Sequence, residues 1–440
     1  MSEKIALISL GCPKNLINSE QMLFLLAEAG YTLVPDPDGA DVAVVNTCGF
    51  IDSAKSEAID VILSLAALKE AGRLQRIVVC GCLSQRYRAE LRAELPEVDA
   101  IVGVGSFSEI VAAVRGALAG EKPELFGDIN APVDETGRAV STGPGWAYVK
   151  IADGCDNRCA FCAIPSIRGR YRSRPMEAIV EECRSLAQSG VREVILVAQD
   201  ITRYGSDLKP RNSLAALCRE LVKIEGLEWL RLHYLYPDRF DDELIECIAA
   251  EPKIVKYLDI PLQHINDTIL RRMNRRGTGA EIRTLLKKLR ERIPSVVIRT
   301  SLITGLPGET LTEFEELCSW LREARLERAG VFAFSPEEGT PAAEMTDRVD
   351  EEEAQRRAQL VMDLQAEVMD EWCRAQLGKT LRVLVQGYDE EADLLWGRSW
   401  ADSPEIDGRV LFDGEAEPGC FANIQITAVT EDGDLMGVLV

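Results

Sequence analysis

Histidine is almost missing from this chain: His233 and His264 are the only two in 440 residues. That removes multi-histidine metal chemistry and leaves thiolate as the metal-binding group on offer. Long apolar runs are missing too. Nothing approaches about 18 consecutive apolar residues, so a membrane span is not expected. The opening MSEKIALISLGC has neither a basic n-region nor a long apolar stretch, so no secretory signal is visible and the expected location is the cytoplasm. Base is in short supply, with 50 Lys and Arg against 72 Asp and Glu, a net charge of −22. Such a surface repels phosphate backbones and attracts a basic partner.

What is present is a long chain of ordinary globular composition, 46% hydrophobic and 28% charged. Its length exceeds one core, so two or three domains are expected. Cysteine is abundant, at 13. An odd count in a large chain does not suit a disulfide framework, and a reducing compartment would not preserve one. Cys183, Cys218, Cys247, Cys318 and Cys373 fall singly in helix-like stretches, where a small buried hydrophobe is the simplest role. The groups around 12–82 and 155–162 need another explanation.

Strand-like and helix-like segments alternate over residues 1–126. KIALISL, DVAVVN, RIVVCG and VDAIVGV are short apolar strands, with helical patterns over 18–29 and 53–70 between them, which predicts a doubly wound parallel sheet. Residues 127–145, rich in Gly, Pro, Thr and acids, read as a linker. Within 146–376 strands recur near 147–151, 193–198, 228–233, 256–260, 296–303 and 330–334, separated by helices: six βα units, enough for a partial barrel. A long charged helix follows. From 377 to 440 the pattern turns to short alternating strands with Asp-Gly turns, a small all-β domain built as a barrel or a sandwich.

Cys155, Cys159 and Cys162 are spaced C-x3-C-x2-C directly after the first of these barrel strands, at the carboxyl edge where barrel active sites lie. Zinc closes its tetrahedron with four ligands, and no fourth Cys or His is nearby. Three thiolates suit a four-iron cluster with one iron left open; a zinc knuckle borrowing a distant ligand is the alternative. Arg168, Arg170, Arg172 and Arg174 follow on alternate positions. They form a solvated face, bind an anion, or hold the loop.

The C-x3-C-x2-C loop in that setting resembles the radical S-adenosylmethionine superfamily. The resemblance implies that the open iron binds S-adenosylmethionine and that a 5′-deoxyadenosyl radical takes hydrogen from an unactivated C–H bond, the cofactor carrying the hard chemistry. By position Gln199, Gly305 and Glu309 would line the S-adenosylmethionine pocket, although a Gly/Pro turn such as GLPGET beside a strand is common for structural reasons. No catalytic side chain is singled out.

A second trio stands apart. Cys12, Cys48 and Cys82 each follow a predicted parallel strand, so three sequence-distant thiols should meet in the crevice at the carboxyl edge of the sheet. Cys80 competes with Cys82, but it still belongs to the apolar strand and reads as a packing residue. With SLGCPKN, NTCGFI and GCLSQR carrying this trio, the chain resembles the methylthiotransferases over nearly its whole length, the tail matching the TRAM domain. The resemblance implies two four-iron clusters, the auxiliary one on Cys12, Cys48 and Cys82. It also implies S-adenosylmethionine as methyl donor and a reductant or electron donor protein.

SLGCPKN, DIPLQH and PEEGT resemble the branch of that family that modifies an aspartate β-carbon of small-subunit ribosomal protein uS12, free or on the small ribosomal subunit, rather than the branch that modifies adenosine in transfer RNA. Charge points the same way: residues 378–440 hold 13 acids against 4 bases, net −9, whereas a transfer-RNA-binding tail should be basic. A two-cluster electron-transfer or regulatory protein is the alternative of a different class.

Overall fold

The computed structural model describes residues 2–133 and 137–440; residues 134–136 of the expected linker lie outside the described residues. By its contacts the chain falls into two compact units. The first gathers Met1–Ser141, Ala152–Arg174 and Ser335–Ala343; the second gathers Thr142–Ile151, Pro175–Phe334 and Glu344–Val440.

The first unit is built on a six-stranded sheet, β1 (Lys4–Ser9), β2 (Thr32–Val34), β3 (Val42–Thr47), β4 (Arg76–Gly81), β5 (Ala100–Val102) and β6 (Glu124–Leu125). Its order is β2-β1-β3-β4-β5-β6 and every pairing is parallel. The helices α1 (Pro13–Glu28), α2 (Asp52–Glu70), α3 (Cys82–Arg86), α4 (Arg88–Glu94) and α5 (Ile110–Leu118) join the strands. Each face of the sheet carries its own aliphatic layer. Ala43, Val45, Ile77 and Val79 pack with Ala58, Ile62 and Leu65 of α2 on one side. Val42, Val44, Val78 and Cys80 pack with Met22 of α1 and Ile110 of α5 on the other. A sheet buried on both faces reads as continuous apolar runs, which is why β3 and β4 were legible. β2 and β6, three and two residues long, gave no such run. The strand order reverses between β1 and β3, the switch point at which ligands bind in open parallel sheets.

The unit also holds a hairpin, β8 (Ala152–Asp153) paired with β9 (Arg172–Ser173), which closes the cysteine loop and its helix α6 (Ile164–Arg168).

The second unit has two sheets. One is open, parallel and six-stranded: β7 (Trp146–Lys150), β10 (Glu193–Val197), β11 (Trp229–Leu232), β12 (Ile254–Asp259), β13 (Val297–Thr304) and β14 (Arg328–Ala333), in that order across the sheet. This is the expected partial barrel of six βα units. The other is the tail, a closed barrel of β15 (Thr380–Asp389), β16 (Leu394–Arg398), β17 (Val410–Asp413), β18 (Phe421–Val429) and β19 (Leu435–Leu439), which decides between barrel and sandwich.

The segment between β16 and β17 does not behave as a surface loop. Ala401, Asp402 and Ser403 are fully buried against the barrel strands. Glu193, at the start of β10, accepts from Arg231 Nε and from Arg398 Nη2, both at 2.7 Å. Arg231 Nη1 donates to the Trp400 carbonyl at 2.8 Å, Arg328 Nη2 to Asp402 Oδ1 at 3.0 Å, and Tyr257 Oη to Asp407 Oδ2 at 2.6 Å. Buried charges persist only when paired in this way.

Candidate metal centres

Cys12, Cys48 and Cys82 stand immediately beyond the carboxyl ends of β1, β3 and β4, strands that lie side by side in the sheet. Cys12 caps α1, with Pro13 at the first helical position, where a missing N–H costs nothing. Cys82 opens α3. Two glycines let these ends close up. A Cβ on Gly11, whose φ is +89°, would fall 2.7 Å from Cys48 Cβ and 3.2 Å from its Sγ; one on Gly49 would fall 2.8 Å from Leu83 Cα. The first approach joins the Cys12 and Cys48 ends, the second the Cys48 and Cys82 ends, and only glycine leaves the room.

The electrostatics differ from thiol to thiol. Burial pushes Cys48 up to about 11, eased by the Phe50 amide and worsened by Cys82 and Cys12. Burial also raises Cys82, against the pull of Arg168. For Cys12 burial is outweighed by Lys14, Arg168 and the Asn15 and Lys14 amides, and the thiol is held below its ordinary value. The three therefore sense one another and share one cation. Cys80 feels Cys82 but not the shared cation. It is 0% exposed, its Sγ donates to the Val45 carbonyl at 3.4 Å, and burial drives its thiol far up. It packs, as the sequence suggested.

Around the trio is a polar frame that the sequence reading did not single out. Asn15 Nδ2 donates to the carbonyls of Leu10 and Thr47, and Asn46 Nδ2 donates to the Asn15 carbonyl and Ser19 Oγ. Arg168 Nη2 donates to Asn15 Oδ1 at 2.6 Å and to Cys82 Sγ at 3.3 Å. Three residues past Cys12, the Asn of SLGCPKN was the available signal.

Cys155, Cys159 and Cys162 lie on the loop between β8 and α6, all half-buried. The Cys155 amide donates to the Gly169 carbonyl and the Cys162 amide to the Cys159 carbonyl, so the loop is knotted by its own backbone. The arginines divide. Arg168 and Arg174 are buried, Arg170 is exposed and paired with Asp156 at 2.8 Å, and Arg172 donates to the carbonyls of Arg168 and Arg170. Holding the loop is the role the geometry gives Arg170 and Arg172. The Ala342 amide donates to the Ala160 carbonyl, and Glu337 of the same 335–343 segment accepts from Lys55 at 3.1 Å and Arg86 at 2.9 Å. Glu337 of PEEGT thus ties that segment to the helices after Cys48 and Cys82.

Among the described residues no three His, Cys, Asp or Glu side chains close around a single metal ion. A four-iron cluster asks for something else, since each thiolate takes its own iron. Two sets of three thiols, one with a buried guanidinium and glycine-narrowed approaches, fit that requirement.

Of the residues expected near S-adenosylmethionine, Gln199 follows β10 and is half-buried. Gly305 and Glu309 lie in the turn that follows β13. Glu309 is turned inward: its Oε1 accepts from Arg357 Nη1 at 2.9 Å and from the Gly305 amide at 3.0 Å, and its Oε2 lies 3.5 Å from His264 Nε2. Burial raises this carboxyl, but His264, the Gly305 amide and Arg357 hold it below its ordinary value. A Cβ on Gly305 would lie 2.3 Å from Ala354 Cβ. Thr310 caps the Leu311–Ala324 helix in a reciprocal box with Glu313. GLPGET is thus also a turn and a helix start.

Residues 149–321 match the radical SAM superfamily, 4–103 the "uncharacterized protein family UPF0004", and 377–440 the TRAM domain. Over its full length the chain is 48% identical to ribosomal protein uS12 methylthiotransferase RimO of Trichlorobacter lovleyi, covering 98% of that protein. It is 49% identical to RimO of Anaeromyxobacter sp., with 99% of this chain and 93% of that one aligned. The chain belongs to the RimO family. Solved structures similar to this RimO-family chain are more distant. The radical S-adenosylmethionine methyltransferase TsrM from Kitasatospora setae has a TM-score of 0.57 at 15% identity, over 78% of this chain and 77% of that one. That likeness is one of fold. The RimO relatives align end to end, so the sheet bearing Cys12, Cys48 and Cys82, the partial barrel and the tail barrel belong to one family architecture.

Proposed function

We propose that this chain is a radical S-adenosylmethionine enzyme that adds a methylthio group to an aspartate β-carbon of ribosomal protein uS12, in the cytoplasm. The observation that carries the reading is the meeting of Cys12, Cys48 and Cys82 at three adjacent strand ends, in a chain related along its whole length to RimO proteins. Residues 1–126 would serve as the auxiliary-cluster domain, 146–376 as the radical domain and 377–440 as the substrate-binding tail.

Cys155, Cys159 and Cys162 would hold one four-iron cluster and Cys12, Cys48 and Cys82 a second. With S-adenosylmethionine bound, these groups supply the radical, the inserted sulfur and the methyl group. The chain's own residues do the rest. Arg170, paired with Asp156, and Arg172, bonded to loop carbonyls, keep the radical loop in one shape. Gln199 and the Gly305 turn offer polar contacts at the ends of β10 and β13, while Glu309, tied to Arg357, keeps that turn from moving. On the tail, Asp393, Asp413, Glu415 and Glu417 surround an open depression of about 820 Å³ beside Tyr388, a surface suited to a basic protein. Transfer RNA would be repelled there. A reductant or electron donor protein must supply electrons.

Mass spectrometry of uS12 from a strain lacking the chain tests this reading. The methylthio mass should vanish from uS12 and return on complementation. If uS12 is unchanged while a transfer-RNA adenosine loses its methylthio group, the substrate is the other branch's; if the purified chain cleaves no S-adenosylmethionine under anaerobic reduction, it is an electron-transfer protein.

A further inference from the structure

Arg168 ends α6, on the loop that carries Cys155, Cys159 and Cys162, yet its guanidinium serves the other trio. It is 3% exposed. Nη2 reaches Cys82 Sγ at 3.3 Å and Asn15 Oδ1 at 2.6 Å, while Nη1 reaches Asn18 Oδ1 at 2.9 Å and Asp153 Oδ2 at 3.3 Å. Asp153 lies two residues before Cys155. Cys82 also packs with Ala163, which precedes this helix, and Ile167 within it, in one small buried cluster that the partly buried Val104 adjoins. A single buried cation thus has its fork on a sulfur of one trio and its backbone and counter-ion in the loop of the other.

We propose that Arg168 is a positioning residue that sets the reduction potential of the cluster on Cys12, Cys48 and Cys82, and so couples the electronic state of that site to the folding of the radical loop. This rests on the reading that those three thiols hold a four-iron cluster. Reduction adds one negative charge to such a cluster. A fixed cation donating a charge-assisted hydrogen bond to a ligand sulfur favours the more negative form and raises the potential. Because the bond comes from α6, an unfolded or displaced radical loop withdraws it.

The test uses the full chain, prepared anaerobically, with Cys155, Cys159 and Cys162 replaced by Ala so that one site alone is titrated. Arg168, Arg168→Lys and Arg168→Gln are compared by redox titration followed by electron paramagnetic resonance, with iron counted in each. All three should hold roughly four irons. Arg168→Gln should shift the reduction equilibrium about tenfold toward the oxidised form, about 59 mV lower for a one-electron couple. Arg168→Lys keeps the charge without the two-pronged fork and should fall between. Equal potentials in all three, with iron retained, would overturn the inference. Absence of iron with Arg168 in place would overturn the ligand assignment as well, so the two failures are distinct.

Discussion

Replacing Glu193 by Gln should open the second unit from the base of its barrel. Glu193 and Arg231 are 0% exposed and Arg398 is 2% exposed, so one buried carboxylate bridges two buried guanidinium groups. Removing one partner of a buried ion network costs about 3–5 kcal/mol, because the remaining charge is left desolvated. The 399–403 segment is held by the same groups, so the loss should appear as local opening there. Hydrogen exchange of the amides in Glu193–Val197 and over 399–403 should quicken by about two to three decades. The pH dependence has a definite sign. Burial opposes ionisation of Glu193, but Arg398 and Arg231 outweigh it and hold the carboxyl below its ordinary value of 4.5. The stabilisation is therefore complete above 4.5 and drains away as the pH falls through the lower, folded value. Wild-type protection should stay level from neutrality to about pH 5 and fall only in acid, a limb the Gln variant should lack. An exchange change of less than about fivefold, roughly 1 kcal/mol, would mean that the network is hydrated and the reasoning wrong.

Cys80→Ala should leave about eight irons, whereas Cys82→Ala should leave about four; the reverse pattern in an iron assay would exchange their roles. Glu337→Gln cuts the pairs with Lys55 and Arg86, and product formed per 5′-deoxyadenosine should fall about tenfold while 5′-deoxyadenosine itself still forms, a split that chromatography of both products checks. Lys at Asp393, Asp413, Glu415 and Glu417 together should slow capture of uS12 at low salt and erase the salt dependence that wild type shows, because exposed charges are screened within about 8–10 Å at physiological ionic strength. Unchanged association kinetics would make those acids mere solubilising residues.

The strands that matter for Cys12, Cys48 and Cys82 were legible because each is an apolar run leading to Gly or Thr before a cysteine, and the sheet order turned three distant positions into neighbours. Cys80 and Cys82 were separable for a local reason. Alternation would send both to one face, but β4 ends at Gly81 with φ +102° and the chain turns into α3. The arginine run, for which three roles stood open, divides for the same reason. Alternate spacing suggests one face, yet Gly169, with φ +73°, breaks the register between a helix end and β9, leaving Arg168 buried and Arg170 outside. The pairing of Glu309 with Arg357, 48 positions later, had no local signal, because nothing in GLPGET announces a partner on a distant helix. The 399–403 segment gave no signal, since Ser, Ala, Asp and Ser read as a turn wherever they occur; only distant partners make them core. The hairpin of β8 and β9 is two residues a side, too short for any periodicity.

The buried 399–403 segment changes what a shortened chain would mean. Cutting the protein at 377 would remove Arg398 and Asp402 along with the tail barrel, stranding Glu193 with half its counter-charge and Arg328 with none of its carboxylate from Asp402. An enzyme trimmed in that way would lose activity through a flooded barrel floor, before any question of how it grips its substrate arose. The tail is thus a stopper for the barrel, and the substrate-binding role proposed for it can be tested apart from that only by changes on its outer surface.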